Sequence, residues 1–447
     1  MSWKETSPGR FERPLDSVEI FFKTIADAGT PLNREHWAIT VCAQFCLDPC
    51  AGDVESSLRQ AWKTVRYDHP QIAAFAQGNI IIYEVPDAST FNSWQRETFL
   101  VTPGTTAEEL VASARPSTLP LLHYLPETSE VVIHSSHWRI DGIGALILLN
   151  NLFQALAKPR HIELGSEGRN LSPSLTEAGS LSTDPSEEQD LTATTLLMEY
   201  AGNLPSIGLP VEPSNKIPGA TRRSELKLST ATTNALLSAC KVRDMTVTTA
   251  FHAALIVGTQ QMASSELLAK KYTSWRTFNF RPYLPSASGK SIAHPMAVHV
   301  CGLPITLAPS TFSDNVSQLG PLYKELSSPA RNNKLRTMLV PYNRKLTALI
   351  SQPLPADMPE STEPQLQSMG VVETYLERKY EGVLEITDFW LAVEMLTKNL
   401  ALHVWTWRER LTLSISYNEH FYKEGFVQEF LRFLRDVLLK ELNVSPE

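Results

Sequence analysis

The sequence predicts a mixed α/β protein built as two lobes, and three observations carry that prediction. At 447 residues the chain exceeds what one ordinary hydrophobic core accommodates. Its first 160 residues alternate short β-rich runs with amphipathic helical stretches, the pattern of a mixed lobe. Large apolar side chains then thin out: residues 165–190 are rich in Ser, Thr, Glu and Asp, and Pro205, Pro210, Pro213 and Pro218 follow. That stretch reads as a crossover. It divides the chain into an N-terminal lobe over 1–160, a linker over 161–222 and a C-terminal lobe over 223–447.

The elements follow in order. Residues 15–28 have helical spacing with a charged outer face, and Trp37 to Leu47 reads as an apolar strand. Asp53 can cap a helix that carries Leu58, Trp62 and Val65 on one stripe. Asn79 to Val85 is a buried strand, and a short helix over Leu191 to Tyr200 interrupts the linker. Glu225 to Leu228 alternates like a strand, and Ser229 or Thr230 caps the helix after it. A second helix runs from Thr248 through Val257, then a strand from Ser274 is ended by Pro282 and Pro285. Leu400 to Trp407, a turn at Arg408-Glu409-Arg410 and Leu411 to Tyr417 form a hairpin, closed by an amphipathic helix over Phe426 to Leu442.

Composition excludes several classes. The chain is 43% hydrophobic and 20% charged, as ordinary globular proteins are, and its net charge of −8 argues against non-specific nucleic-acid binding. No apolar stretch reaches the roughly 18 residues of a membrane span, and the first residues lack the apolar core of a signal peptide, so a cytoplasmic location is expected. Cys42, Cys46 and Cys50 fall four apart, but no histidine or further close cysteine completes a zinc set. Together with Cys240 and Cys301 they read as free thiols, and no metal site is expected.

The sharpest motif is His137-Trp138-Arg139-Ile140-Asp141-Gly142, an HxxxDG pattern. It lies between the β-branched run Val131-Val132-Ile133 and the long apolar run from Gly142 to Leu156, where a strand would end and a buried helix begin. A histidine there is held rigidly yet can face a cleft, which suits a general base whose ordinary pKa is close to neutrality. A packed core histidine is the competing reading.

Three features coincide: HxxxDG after about 135 residues, the polar linker, and an Asn-x-Arg-Pro-x-Leu-Pro segment over Asn279 to Pro285. Together they resemble the superfamily of chloramphenicol acetyltransferases, BAHD acyltransferases and condensation domains. Within it the chain is most similar to fungal secondary-metabolite O-acyltransferases of the trichothecene 15-O-acetyltransferase type. The resemblance implies two chloramphenicol acetyltransferase-like α/β lobes, each a mixed sheet flanked by helices, with the active-site channel between them. It implies His137 as the base, Asp141 as a structural partner of Arg281, and Gly142 as a point of close backbone approach. It also implies no permanently bound cofactor, acyl-CoA as cosubstrate, a small hydrophobic alcohol or amine as acceptor, and a monomer.

Two departures from the superfamily stand out. Condensation domains carry a second histidine where this chain has Ser136, which favours free acyl-CoA over a carrier-bound donor. The plant DFGWG pattern is echoed only in part by Asp388-Phe389-Trp390-Leu391, where Asp388 and Trp390 either shape the channel or pack the core. Ser416 and Asn418 can donate to an oxyanion or can end a strand in a side-chain turn. Thr248, Thr249 and His252 share a helix start that the superfamily uses near the pantetheine arm, or are core. Arg222-Arg223, or the basic segment Arg331, Lys334, Arg336, Arg344 and Lys345, can meet coenzyme A phosphates or be solvated faces. Besides acyl transfer, three readings stay open: a stand-alone condensation enzyme with a carrier-bound donor, a His137-dependent cyclisation or elimination, and a non-catalytic interaction protein on the same fold.

Overall fold

The computed structural model of the chain describes residues 2–445 apart from 49–51, 213–216, 265–266, 269, 285–293, 326–328 and 354–358. Cys50, Pro213 and Pro285 lie outside the described residues, as does the side chain of Arg331.

The chain forms two compact α/β units. One comprises Met1–Thr183, Asn279–Val300 and Val372–Glu394; the other comprises Asp184–Phe278, Cys301–Val371 and Met395–Glu447. Both are discontinuous, unlike the contiguous lobes that composition suggests, and the stretch 161–222 is split between them. The physical reason is that composition records how polar a stretch is, not which strand it pairs with.

The first unit is organised by a six-stranded sheet in the order Lys379–Tyr380, Leu384–Val393, Ile39–Leu47, Glu130–Ser135, Leu121–Leu125, Phe99–Val101. Its pairs are antiparallel except Phe99–Val101 with Leu121–Leu125. Strand Ile39–Leu47 lies at its centre, with Ile39 opposite Ser135 on one side and Val393 on the other. The strand read from the sequence as starting at Trp37 starts instead at Ile39, since Trp37 has a φ of 66° that no strand accommodates.

Two helices of this unit matter most. Helix Ser17–Asp27 begins with a capping box: the Asp16 side chain accepts from the backbone of Val18 and Glu19, and Glu19 reaches back to Asp16 N. Helix Gly142–Ala157 is apolar nearly all round, so it is buried, with Leu146 to Leu149 shut off from solvent. It packs against helix Val54–Asp68, whose Leu58, Trp62 and Val65 form the stripe legible in the sequence.

The second unit holds a mixed six-stranded sheet in the order Val300–Leu307, Tyr272–Asn279, Pro364–Val371, Leu400–Trp407, Arg410–Asn418, Thr221–Lys227. Helices Val247–Met262 and Glu424–Leu442 cover it through Phe251, Leu255, Phe430, Leu431 and Leu434. The hairpin turns at Arg408 and Glu409, both in the left-handed region, as a two-residue turn matched to strand twist requires. Among the described residues no helix is long and apolar enough to cross a membrane, and no group of His, Cys, Asp and Glu is arranged to hold a metal ion.

One buried carboxyl in this unit sets a pH dependence of stability. Glu363, just before strand Pro364–Val371, is 1% exposed, its Oε2 lacks a hydrogen-bond partner, and burial pushes its pKa up to about 7. Folded protein therefore binds this proton more tightly than unfolded chain, whose glutamate titrates near 4.5. Its contribution is present below pH 4.5 and is lost as pH rises through 7, by on the order of 3 kcal/mol. Urea unfolding of Glu363→Gln and parent at pH 5 and 8 checks this: the variant gains relative to the parent at pH 8. An equal difference at both pH values contradicts it.

Candidate active site

The loop that carries the motif is fixed by what flanks it. Strand Glu130–Ser135 enters through Val131, Val132 and Ile133, all at most 1% exposed, and helix Gly142–Ala157 leaves from it. The intervening residues are anchors. Trp138, Ile140 and Asp141 are buried, and Arg139 is buried with Nη1 donating to the carbonyl of Ala74 at 2.6 Å and its guanidinium 4.1 Å from the Trp138 ring centroid. From Val131 to Asp141 His137 is the one residue that is not fully buried.

The His137 ring lies flat on Phe22, with centroids 3.9 Å apart and planes 5° from parallel. Its Nδ1 is sealed from solvent and forms no hydrogen bond of ordinary geometry. Burial lowers its pKa to about 4, against the raising effect of its own backbone carbonyl and of Asp141. The imidazole is therefore neutral at pH 7, with a lone pair available to accept a proton.

Asp141 does three structural jobs. It caps helix Gly142–Ala157 by accepting from Gly144 N at 2.7 Å, accepts from His299 N at 2.8 Å, and takes Arg281 Nη1 on both oxygens at 2.9 Å. Burial acts to raise its pKa, yet Arg281 and the two backbone donors outweigh that and hold it below the usual carboxylate value. Arg281 is itself 1% exposed and also donates to the carbonyl of Ala297. The structure thus brings His137, Asp141 and Arg281 together.

Space is short at the glycine two positions past the motif. A Cβ on Gly144 would sit 2.3 Å from the carbonyl oxygen of Pro295, a backbone atom that cannot swing aside, and 3.2 Å from Arg281 Nη2. Gly144, which the sequence reading did not single out, is therefore a point of close backbone approach, and Gly142 forms the helix's first position. Gly144→Ala is expected to cost about 1–3 kcal/mol through overpacking, measured by thermal unfolding. An unchanged melting temperature contradicts this.

Residues that sequence reasoning missed complete the surroundings. Ser136 Oγ lies 2.9 and 3.0 Å from the two Glu35 oxygens, and burial raises the pKa of that carboxyl. Arg34 and Glu394 form a buried ion pair, and Trp37 N donates to Glu394 O at 2.8 Å. Trp37 packs against Phe22 with centroids 6.2 Å apart. Phe22 shows in the sequence only as one apolar position of an amphipathic helix and Trp37 only as the first residue of an apolar run, while Glu35 carries no spacing signal.

Other candidates lie elsewhere. Asp388 and Trp390 belong to strand Leu384–Val393 of the first unit, opposite Gln44 and Cys42; Trp390 is 5% exposed and Asp388 Oδ1 accepts from Phe389 N. Asp388 is five positions along from the register of Ile39 and Ser135, roughly 16 Å at strand rise, so it does not line the His137 loop. In the second unit Asn418 is buried with its amide spent on the carbonyls of Gly219 and Met395 and its oxygen on Gly219 N and His420 N, which makes it a turn residue. Ser416 is a buried position of the same strand, opposite Ala401. His252 is a core histidine: its ring nitrogens meet the hydroxyls of Tyr323 at 2.7 Å and Tyr272 at 3.0 Å.

Thr248 Oγ1 pairs with Ser368, whereas Thr249 lies at the start of helix Val247–Met262 and lines a cavity of about 470 Å³ with Arg243, Met245, Thr246 and Lys324. Of the basic candidates, Arg222 pairs with Glu419, Arg223 with Glu225 and Lys345 with Asp190, while Lys334 and Arg344 are exposed.

Comparison with known proteins places these observations. A protein family described as 15-O-acetyltransferase Tri3 matches residues 123–303, the segment that contains His137, Asp141 and Arg281. The acetyltransferase pigO of Monascus ruber is 33% identical over 461 residues, covering 100% of this chain and 99% of its own. The O-acetyltransferase pigM of the same organism is 33% identical over 453 residues, covering 100% and 88%. The solved structure of the TRI3 trichothecene 15-O-acetyltransferase from Fusarium sporotrichioides superposes with a TM-score of 0.82 at 20% identity, covering 98% of this chain and 97% of that one, a likeness of fold.

Proposed function

Because the chain belongs to the fungal O-acetyltransferase family that includes these proteins, we propose that it moves an acyl group, acetyl first among them, from acyl-CoA to a hydroxyl of a small hydrophobic secondary metabolite. The observation that carries this reading is the His137 imidazole, neutral and partly exposed in a loop whose other residues are buried.

With Nδ1 sealed off, Nε2 is the nitrogen for proton transfer. It takes the hydroxyl proton as the acceptor oxygen attacks the thioester carbonyl carbon. The tetrahedral oxyanion then collapses, the carbon–sulfur bond breaks, and the imidazolium returns its proton to the departing thiolate. No acyl-enzyme is needed. Asp141 and Arg281 hold the loop and touch no reacting atom. For the donor, the recess at helix Val247–Met262 offers Arg243 and the apolar surface of Met245, with Lys324 on the same wall paired to Asp244.

The test supplies acetyl-CoA, a longer acyl-CoA and an acyl group on a carrier protein to a panel of hydrophobic alcohols, with product read by mass spectrometry. Ester formed from acyl-CoA is expected; turnover with the carrier alone overturns the donor, and a dehydrated or cyclised product overturns the reaction type. The pH profile is a second check. A base must be unprotonated, and burial has lowered this one to about 4. Thus kcat/KM is expected to stay level from neutrality down to about pH 5 and to fall only nearer pH 4. An acid limb at the ordinary histidine value of 6.5 contradicts that assignment.

A further inference from the structure

We propose that Phe22, backed by Trp37, is a positioning residue that holds the plane of the His137 imidazole and so aims its Nε2. The proposal rests on the reading of His137 as the base. Rotation of an imidazole about its last side-chain torsion is soft, with broad minima, and Nδ1 meets only the carbonyl of its own backbone, outside ordinary hydrogen-bond geometry. The flat contact with Phe22 at 3.9 Å and 5° is the restraint that the structure provides instead. Two neutral rings left to their own preference choose edge-on or widely offset packing over such overlap, so the scaffold sets this geometry.

The scaffold is correspondingly stiff. Helix Ser17–Asp27 carries Phe22 and is tied at its start by the capping box, by the buried Arg13–Glu19 pair at 2.6 Å, and by Asp16 Oδ2 accepting from Thr176 N at 3.0 Å. Behind Phe22 stands Trp37, whose φ of 66° is one that bulky residues rarely adopt. Its N–H bond to Glu394 O keeps it there, and Glu394 is locked by Arg34. Backbone strain of this kind persists only where its surroundings enforce it, and it gathers at functional sites. The rings of His137, Phe22 and Trp37 thus form one series anchored at both ends.

The experiment is a double-mutant cycle on the full chain with Phe22→Leu, Phe22→Tyr, His137→Ala and the combination Phe22→Leu/His137→Ala. Leucine keeps an apolar side chain but no flat face; tyrosine keeps the face. Phe22→Leu is expected to lower kcat roughly 10- to 100-fold with KM within about twofold, as misaimed groups do. Phe22→Tyr is expected to restore most of that loss. In the His137→Ala background Phe22→Leu should add almost nothing, because there is no imidazole left to aim. A full Phe22→Leu penalty without His137, equal losses in leucine and tyrosine variants, or no loss at all overturns the positioning role. His137→Ala alone retaining parental turnover is a separate result, and it overturns the general-base reading.

Discussion

Replacing His137 with alanine is expected to lower kcat by roughly a thousandfold while the protein stays folded. General bases are worth about 10²- to 10⁴-fold. Almost none of this imidazole is protonated at pH 7, but its lowered pKa also makes it a weaker base than one titrating near neutrality, which sets the expectation in the middle of that range. Folding should survive, because the ring is partly exposed, leaves no charged partner behind, and surrenders mainly its contact with Phe22. The loop keeps its other anchors: Trp138, Arg139 and Asp141 are untouched. Steady-state kinetics with circular dichroism melting separate the two effects. Turnover within tenfold of the parent would sink the assignment, and so would a loss of activity that merely follows unfolding.

Asp141→Ala is expected to act the other way, on stability first. Removing that carboxylate strands the Arg281 guanidinium at 1% exposure and takes the acceptor from Gly144 N and His299 N at once. Leaving one partner of a buried pair uncompensated costs on the order of 3–5 kcal/mol, a large share of a domain's total. Asp141→Asn keeps the shape but not the charge and should lose most of that amount. Removing both charges, in Asp141→Leu with Arg281→Leu, should recover part of it, since buried pairs return little net stability. The unrecovered part is the cost of the lost helix cap, about 1 kcal/mol. Chemical unfolding of the four proteins decides; an Asp141→Ala protein as stable as its parent contradicts the clamp.

Much of this site could be read before the fold was known. The strand before His137 and the helix after it follow from a β-branched run and a long apolar run, which are signals of period and length. Capping residues Asp16, Asp53, Ser229 and Thr246 mark where helices start, although the sequence reading placed only Asp53 and Ser229 in that role. Asn418 and His252 remained ambiguous, since a polar side chain's partners decide whether it is spent. In the structure both are fully engaged by groups far away in the chain.

What escaped was everything that depends on long-range register. The strand Leu384–Val393 joins the sheet of Ile39–Leu47 across more than three hundred residues, and neither strand's composition names the other. The same holds for Phe22 on His137, Trp37 on Glu394 and Pro295 against Gly144. Local patterning was enough for the α/β class, the position of His137 and its place between strand and helix, because those depend on neighbours a few residues away. Tertiary structure alone decided that Gly144 is tightly enclosed, that the first unit borrows two later segments, and that an aromatic ring lies against the imidazole. Those facts arise when distant segments compete for the same few ångströms, and only the folded chain resolves that competition.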